Sequence, residues 1–543
     1  MPKDFEISGN LVDIINRKIE PSLIKIKDGK IHSIQKSQDE QKQFIMPGFV
    51  DSHIHIESSM LTPSEFARLA VIHGTVATCS DPHEIANVLG IKGIEFMLRN
   101  ANKVPFKFYF GAPSCVPATD FESAGARISP DDIRFLFKEK KLKYLSEMMN
   151  FPGVIYESPD PIEKLNIAKE YKKPIDGHAP GLRGDDLKKY IAAGISTDHE
   201  CFRLEEALEK IGLGMKILIR EGSAAKNFEV LSPLLESHHE MCMFSSDDKH
   251  PQDLMEGHIN LIVKRAVSQG YELFSVLRAA ILNPIEHYNL DIGMLKIGDD
   301  ADFIIVDNLK DFTVQATYIK GNLVAERGKS LIEPVQIDLV NNFNIKEKKI
   351  SDFEIKAEKE RIRVIEVIDG QLFTNELIEE AKIEAGKIVS DPEKDILKLA
   401  LVNRYKESPP ALAFVQNFGL KKGSIATSIA HDSHNIIALG CDDESLCKAI
   451  NEVIKNKGGL ALAHKGELIS LPMPIAGIMS DEDAQTVAKK YILLDNAAKK
   501  LGSTLSEPFM TLSFLALLVI PKLKLSDKGL FDGDAFQFVD LQL

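Results

Sequence analysis

Apolar and polar residues alternate with period two near the start of the chain, in Ser22-Leu-Ile-Lys-Ile-Lys27 and Lys30-Ile-His-Ser-Ile34. Asp28-Gly29 stands between them, and this dipeptide between alternating segments predicts a β-hairpin. The same pattern returns far downstream, in Ala301-Asp-Phe-Ile-Ile-Val-Asp307 and Ala316-Thr-Tyr-Ile-Lys-Gly-Asn-Leu-Val-Ala325. These two sets predict one small β-sandwich domain split in sequence, 1–45 and 286–340.

Between them, from 46 to 285, short apolar strands take turns with amphipathic helical stretches. Val76-Ala-Thr-Cys79, Lys107-Phe-Tyr-Phe110 and Lys216-Ile-Leu-Ile219 read as strands; Pro130–Lys138 and Asp185–Ile191 read as helices. Such alternation over this length predicts an α/β fold, a (β/α)8 barrel with its chemistry at the C-terminal strand ends. No Gly-x-Gly-x-x-Gly follows the first strand, which argues against an open dinucleotide-binding sheet. From Asn341 the chain turns polar and Lys-rich to Lys349, a linker, and a C-terminal α+β domain is expected over 341–543. Phe514-Leu-Ala-Leu-Leu-Val-Ile520 is the longest apolar run. It is far short of the ~20 residues that span a bilayer and reads as a buried strand or helix.

Composition narrows the function. With 44% hydrophobic and 27% charged residues the 543-residue chain is a folded protein of several domains. A formal charge of −14, with no basic stripe, disfavours nucleic acid as a partner. No secretory signal is evident after Met1-Pro-Lys-Asp-Phe-Glu6, and neither a disulfide framework nor a thiolate zinc site is legible in the six scattered cysteines. A cytoplasmic protein without membrane association is expected.

The richest stretch is Met46-Pro-Gly-Phe-Val-Asp-Ser-His-Ile-His55, an apolar strand that breaks at Gly48, resumes, and ends in two histidines. Period-two geometry points His53 and His55 the same way, so they can share one metal ion. Other apolar strands end similarly, in Glu147, His178, His199 and the pair Asp247-Asp248. Singly, each has a plainer role: Glu147 at a helix start, His178 in a turn, His199 in the core, the aspartates as caps. Together they form one set at one structural address. Two divalent ions ~3.5–4 Å apart need about six protein ligands, and this thiolate-free set of imidazoles and carboxylates suits Mn or Fe, with Zn also admissible.

These residues resemble the amidohydrolase superfamily, and within it the bacterial adenine deaminase family. The narrower likeness rests on Phe49-Val-Asp-Ser-His-Ile-His-Ile-Glu-Ser-Ser59, Ser80-Asp-Pro-His-Glu-Ile-Ala-Asn-Val-Leu-Gly90, Asp176-Gly-His-Ala-Pro-Gly181 and Ser246-Asp-Asp-Lys-His-Pro251. Ala430-His-Asp-Ser-His-Asn-Ile436 and Pro474-Ile-Ala-Gly-Ile-Met-Ser480 extend it beyond the barrel. Lys249, where the family pattern has arginine, is a departure outside the candidate ligands.

The resemblance implies hydrolysis of adenine to hypoxanthine and ammonia at two metal ions, with adenine and water as partners and a homo-oligomer, such as a dimer, as the assembly. It implies His53, His55, His178 and His199 as metal ligands, and Glu147 bridging the ions in place of the carboxylated lysine of other members. Asp247 is assigned as ligand and proton shuttle, with Asp248 open as its alternative. Glu57, His83 and Glu84 are candidates for reading the purine. His431, Asp432 and His434 read as turn and capping hydrogen bonds, with a second metal site as the alternative, while the C-terminal domain is expected to cover the barrel mouth. Among rivals, His55-Ile-Glu57 matches half of the one-zinc deaminase motif, but no Pro-Cys-x-x-Cys accompanies it. A cyclic-amide hydrolase of the dihydroorotase or hydantoinase kind, or a silent scaffold on the same barrel, remain alternatives.

Overall fold

A computed structural model describes residues 4–38 and 41–543 of the chain. It begins with strands β1 (Phe5–Asp13), β2 (Lys18–Lys27), β3 (Lys30–Lys36) and β4 (Phe44–Pro47). The hairpin at Asp28-Gly29 sets Lys27 opposite Lys30, and both turn residues take positive φ, 51° and 75°. That is the turn whose twist matches paired strands.

Eight parallel strands follow: β5 (Phe49–Ile54), β6 (Thr75–Ser80), β7 (Lys107–Phe110), β8 (Leu145–Met148), β9 (Ile175–Gly177), β10 (Thr197–Asp198), β11 (Lys216–Arg220) and β12 (Cys242–Ser245). Ladders join β5 to β6 to β7, β8 to β9, and β10 to β11 to β12. A bridge from Ala112 to Leu145 links β7 to β8, and Ser196 N–H to Ile175 O, 2.9 Å, links β9 to β10. Asp247 N–H then donates to His53 O at 2.9 Å, tying the turn after β12 back to β5. Helices alternate with these strands along the chain. Pro130–Lys138 starts at a capping box, in which Ser129 and Asp132 satisfy each other's backbone N–H groups, and buries Ile133, Leu136 and Phe137 at helical spacing.

Gly48, between β4 and β5, has a packing reason to be glycine: a Cβ there would lie 2.2 Å from Val76 Cγ1 of β6. The expected barrel start at Met46 falls inside β4, so the path leaves the small sheet only at Gly48.

Strands β13 (Phe303–Val306), β14 (Val314–Ile319), β15 (Asn322–Glu326) and β16 (Lys329–Ser330) complete the small domain. β4 pairs with β1 and with β13, so both sequence pieces belong to one eight-stranded sheet, β16-β15-β14-β13-β4-β1-β2-β3. In place of the two separate layers of a sandwich, this sheet curls until Ile31 N–H donates to Asp299 O at 2.9 Å. Ile24, Ile26, Ile31, Ile45, Phe303 and Ile305 pack inside the curl.

The stretch 341–349 is a fixed tether rather than a loose linker: Asn341 Nδ2 donates to Lys457 O and Asn344 N–H to Arg404 O, at 2.7 and 2.8 Å. It leads into a second eight-stranded sheet, which includes Leu397–Val402, Ser424–Thr427 and Ile436–Gly440. Ala400, Val402, Ala426 and Ala438 on one face pack with helix Asp443–Lys455. Leu399, Leu401, Ile425 and Leu439 on the other join the core shared with the β5–β12 unit, as period two requires. The apolar run at 514–520 is neither strand nor continuous helix. Helix Pro508–Phe514 ends there, and two turns follow, with Leu517 N–H donating to Phe514 O and Ile520 N–H to Leu517 O. No helix among the described residues is long and apolar enough to cross a membrane.

Candidate active site

Six of the side chains singled out from strand ends converge. His53 lies in β5 and His55 just past it, with Nε2 atoms 3.2 Å apart. Glu147 of β8 stands between two pairs of imidazoles. Its Oε1 is 3.2 Å from His55 Nε2 and 3.9 Å from His53 Nε2, while its Oε2 is 2.8 Å from His178 Nδ1 and 3.3 Å from His199 Nε2. Asp247 Oδ1 is 3.1 Å from His55 Nε2 and 3.6 Å from His53 Nε2. Asp247 carries φ of 51°, an uncommon conformation outside glycine and one found at functional sites.

The donor set fits divalent metal. Ligand atoms ~2.1 Å from one ion and at right angles to each other sit about 3.0 Å apart, close to the 2.8–3.3 Å separations here, while the two from His53 to the carboxylates are longer at 3.6 and 3.9 Å. The two imidazole nitrogens facing each other at 3.2 Å can share one N–H···N hydrogen bond or turn both lone pairs to one cation. Electrostatics agree. Burial pushes the Glu147 carboxyl up, but hydrogen bonds from His178, His199 and His55 outweigh it and hold it well below the carboxylate range. For Asp247, burial is again outweighed, here by the Arg220 charge and by His53 and His55.

Arg220 and Glu200 were not found from the sequence. Arg220 Nη1 reaches Asp247 Oδ2 at 2.5 Å and also bonds Glu200 Oε1, while Nη2 lies 3.1 Å from Glu200 Oε2. Glu200 Oε1 is 3.4 Å from His199 Nε2. Arg220 closes the apolar strand β11, so the rule that picks out Glu147 could have found it. Asp81, at the end of β6, is a third such residue; its Oδ2 is 3.0 Å from His83 Nδ1. Of the two adjacent aspartates, Asp247 faces the histidines, and Asp248 instead accepts from Ser58 Oγ at 2.5 Å.

His83 and Glu84 line the cavity with the cluster. Glu57 is placed differently: its Oε1 accepts from Ile85 N–H at 3.2 Å, serving the start of helix His83–Leu89, and it is not among the cavity-lining residues. Burial pushes its carboxyl up to about 7. His431 and His434 do more than shape their own loop. His431 Nδ1 lies 2.6 Å from Glu84 Oε1, and His434 Nε2 bonds Glu84 Oε2. Burial alone would lower the His431 pKa, but Glu84 lifts it to about 9. Asp432 Oδ1 is 3.8 Å from His83 Nε2, so this C-terminal loop meets His83 and Glu84.

Comparison with known proteins adds to this geometry. Residues 44–324 match the amidohydrolase family and residues 371–537 match the adenine deaminase C-terminal domain. The chain is 53% identical over 542 residues, 99% of each chain, to an adenine deaminase of Salinibacter ruber. It is 55% identical over 537 residues, again 99% of each, to an adenine deaminase of Sulfurovum sp.. Among solved structures, an adenosine deaminase from Xanthomonas campestris aligns with TM-score 0.45 at 14% identity, covering 61% of this chain and 94% of its own.

Proposed function

The chain belongs to the adenine deaminases of the amidohydrolase family, and we propose that the strand-end cluster is where it hydrolyses adenine to hypoxanthine and ammonia. One observation supports this reading most: Glu147 turns Oε1 toward His55, His83 and His53, at 3.2, 3.4 and 3.9 Å, and Oε2 toward His178 and His199, at 2.8 and 3.3 Å. A dinuclear centre needs that division. His53, His55, Glu147 Oε1 and Asp247 Oδ1 would hold one divalent ion, and His178, His199 and Glu147 Oε2 the other, Mn or Fe before Zn. A bound pair supplies water activated near neutral pH.

The chain's own residues then set the proton path. Arg220 Nη1 bonds Asp247 Oδ2, which orients the Asp247 carboxylate, and that carboxylate would accept a proton from the attacking water. The C6–O bond would form, the C6–N6 bond would break, and the proton held by Asp247 would pass to the departing amine. His83 and Glu84, held by Asp81 and by His431 and His434, face the cavity where the ring edge would lie.

The architecture proposed with this reading is a closed (β/α)8 barrel of β5–β12, with unit boundaries near residues 45, 285 and 340, supported by hydrogen bonding from each parallel strand to the next and back to β5. A homo-oligomer in the cytoplasm is proposed as well; the six free cysteines suit a reducing compartment. The test is release of ammonia from adenine, set beside ring opening of dihydroorotate and hydantoin, with Mn, Fe and Zn each supplied. Adenine is the expected substrate. Preferential opening of a cyclic amide, or metal content well below one ion per chain with no activity on reconstitution, would overturn the reading.

A further inference from the structure

The cavity has a second wall, and it comes from the C-terminal segment. Leu372, Phe514, Leu517 and Ile520 line the same space as Glu147 and Asp247. With Met510 they pack as a small apolar cluster of their own, against Ala224 of the loop after β11. Phe514, Leu517 and Ile520 are only 6%, 7% and 2% exposed, so their carbon surface meets the cavity rather than open solvent.

This wall is fixed at several points. Phe514 stacks on His431, with ring centroids 4.5 Å apart and planes 12° apart, and His431 is held by Glu84. His431 N–H also donates to Ser513 O at 3.2 Å. At the other end, the buried ammonium of Lys524 donates to Leu372 O at 2.7 Å, and Thr374 N–H to Pro521 O at 3.2 Å. A wall already ordered before the ligand arrives has little conformational entropy left to lose on binding.

The cavity therefore has one polar side, made by the strand ends, and one dry side. An uncharged, flat heteroaromatic ring satisfies both, with its reacting carbon toward Glu147 and Asp247 and a face or edge against carbon. A carboxylate-bearing cyclic amide would have to bury charge against Leu517 or Ile520, which is costly. We propose that Leu372, Phe514, Leu517 and Ile520 form a specificity-determining wall, through which the C-terminal segment selects the purine ring. This rests on the deaminase reading above.

The test is steady-state kinetics on the Mn-loaded full chain, with Leu517→Ala, Ile520→Ala and, as a control, Leu493→Ala on the exposed side of helix Ala484–Lys500. Loss of apolar contact made equally to ground and transition state raises KM and spares kcat. Each wall variant should raise KM for adenine about tenfold, the scale of small apolar deletions in a binding pocket. The inhibition constant of hypoxanthine should rise by a similar factor, with metal content and kcat held within about twofold, and Leu493→Ala should match the parent. Unmoved KM and inhibition constant in both wall variants, or a fall in kcat alone, would overturn the wall. Absence of adenine turnover in the parent with every metal would sink the deaminase reading itself, and the wall, which names adenine's ring, falls with it.

Discussion

Replacing Lys210 by methionine removes one positive charge and strands two negative ones in the interior. Lys210 Nζ donates to Asp198 Oδ2 at 3.0 Å, Glu206 Oε1 at 2.7 Å and Ala179 O at 2.8 Å. The three side chains are at most 1% exposed. Burial raises the Asp198 carboxyl, but the Lys210 charge, the His199 charge and hydrogen bonds from Cys201 and Lys210 together outweigh it and hold that group well below its usual range. A depressed carboxylate contributes stability above its unfolded pKa, near 3.9, and loses it only as pH falls toward the folded value. An experiment near neutral pH therefore sits where the whole effect is present.

Breaking a buried ion pair from one side costs about 3–5 kcal/mol. For a unit of this size that is a fall in unfolding temperature of roughly 6–20 °C. Asp198 precedes His199 and Ala179 follows His178, so the variant should also bind metal less tightly. The cost lies in the stranded charge rather than the lost contact. Lys210→Met combined with Asp198→Asn and Glu206→Gln should thus recover to within about 1–2 kcal/mol of the parent. The amide introduced by Asp198→Asn would keep a carbonyl oxygen where Asp198 Oδ1 now accepts from Ala179 N–H at 2.9 Å. Thermal unfolding followed by circular dichroism, with metal content measured in parallel, reads both effects. A single variant within about 1 kcal/mol of the parent, or a triple variant no better than the single one, would refute charge coupling as the source of the stability.

Glu147→Gln puts an amide NH2 where one imidazole pair needs an oxygen; metal should fall to one ion per chain or fewer, and turnover by about 10³-fold or more, several kcal/mol of lost stabilisation. Two retained ions by elemental analysis would remove Glu147 as the bridge. Asp247→Asn should keep metal while turnover falls about 10²–10⁴-fold, and unchanged ammonia release would end its role as proton shuttle. Gly48→Ala drives a methyl into Val76 and should cost about 1–3 kcal/mol in urea unfolding, partly restored by adding Val76→Ala. An unchanged midpoint would show that β5 and β6 shift apart freely.

What could be seen in the sequence was local. The Asp28-Gly29 hairpin, the helix Pro130–Lys138 and the strand Lys107–Phe110 each depend on a few consecutive residues. The union of β4 with β1 and β13 in one sheet depends on pairing between strands far apart in the chain, and alternation alone does not encode a partner. Phe514–Ile520 carries no period, so its apolar character could not separate strand from helix from turn. Burial was right and conformation was not.

The site divides the same way. Candidate metal ligands are legible because few residue types can serve and because strand ends share one address, so His53, His55, Glu147, His178, His199 and Asp247 stand out together. The residues that orient them obey no such restriction. Arg220 closes a strand as Glu147 does, but a guanidinium is not a metal ligand, so a search for ligands passes over it. Yet Arg220 distinguishes the two oxygens of Asp247: Oδ2 is engaged by Nη1, and Oδ1 is turned to His53 and His55. Glu200 balances the guanidinium through a two-point contact, so the pair adds no net charge to the cluster while fixing its geometry. Candidate chemistry can thus be read from residue type, but the orientation of Asp247 is set by neighbours that only the folded chain brings within reach.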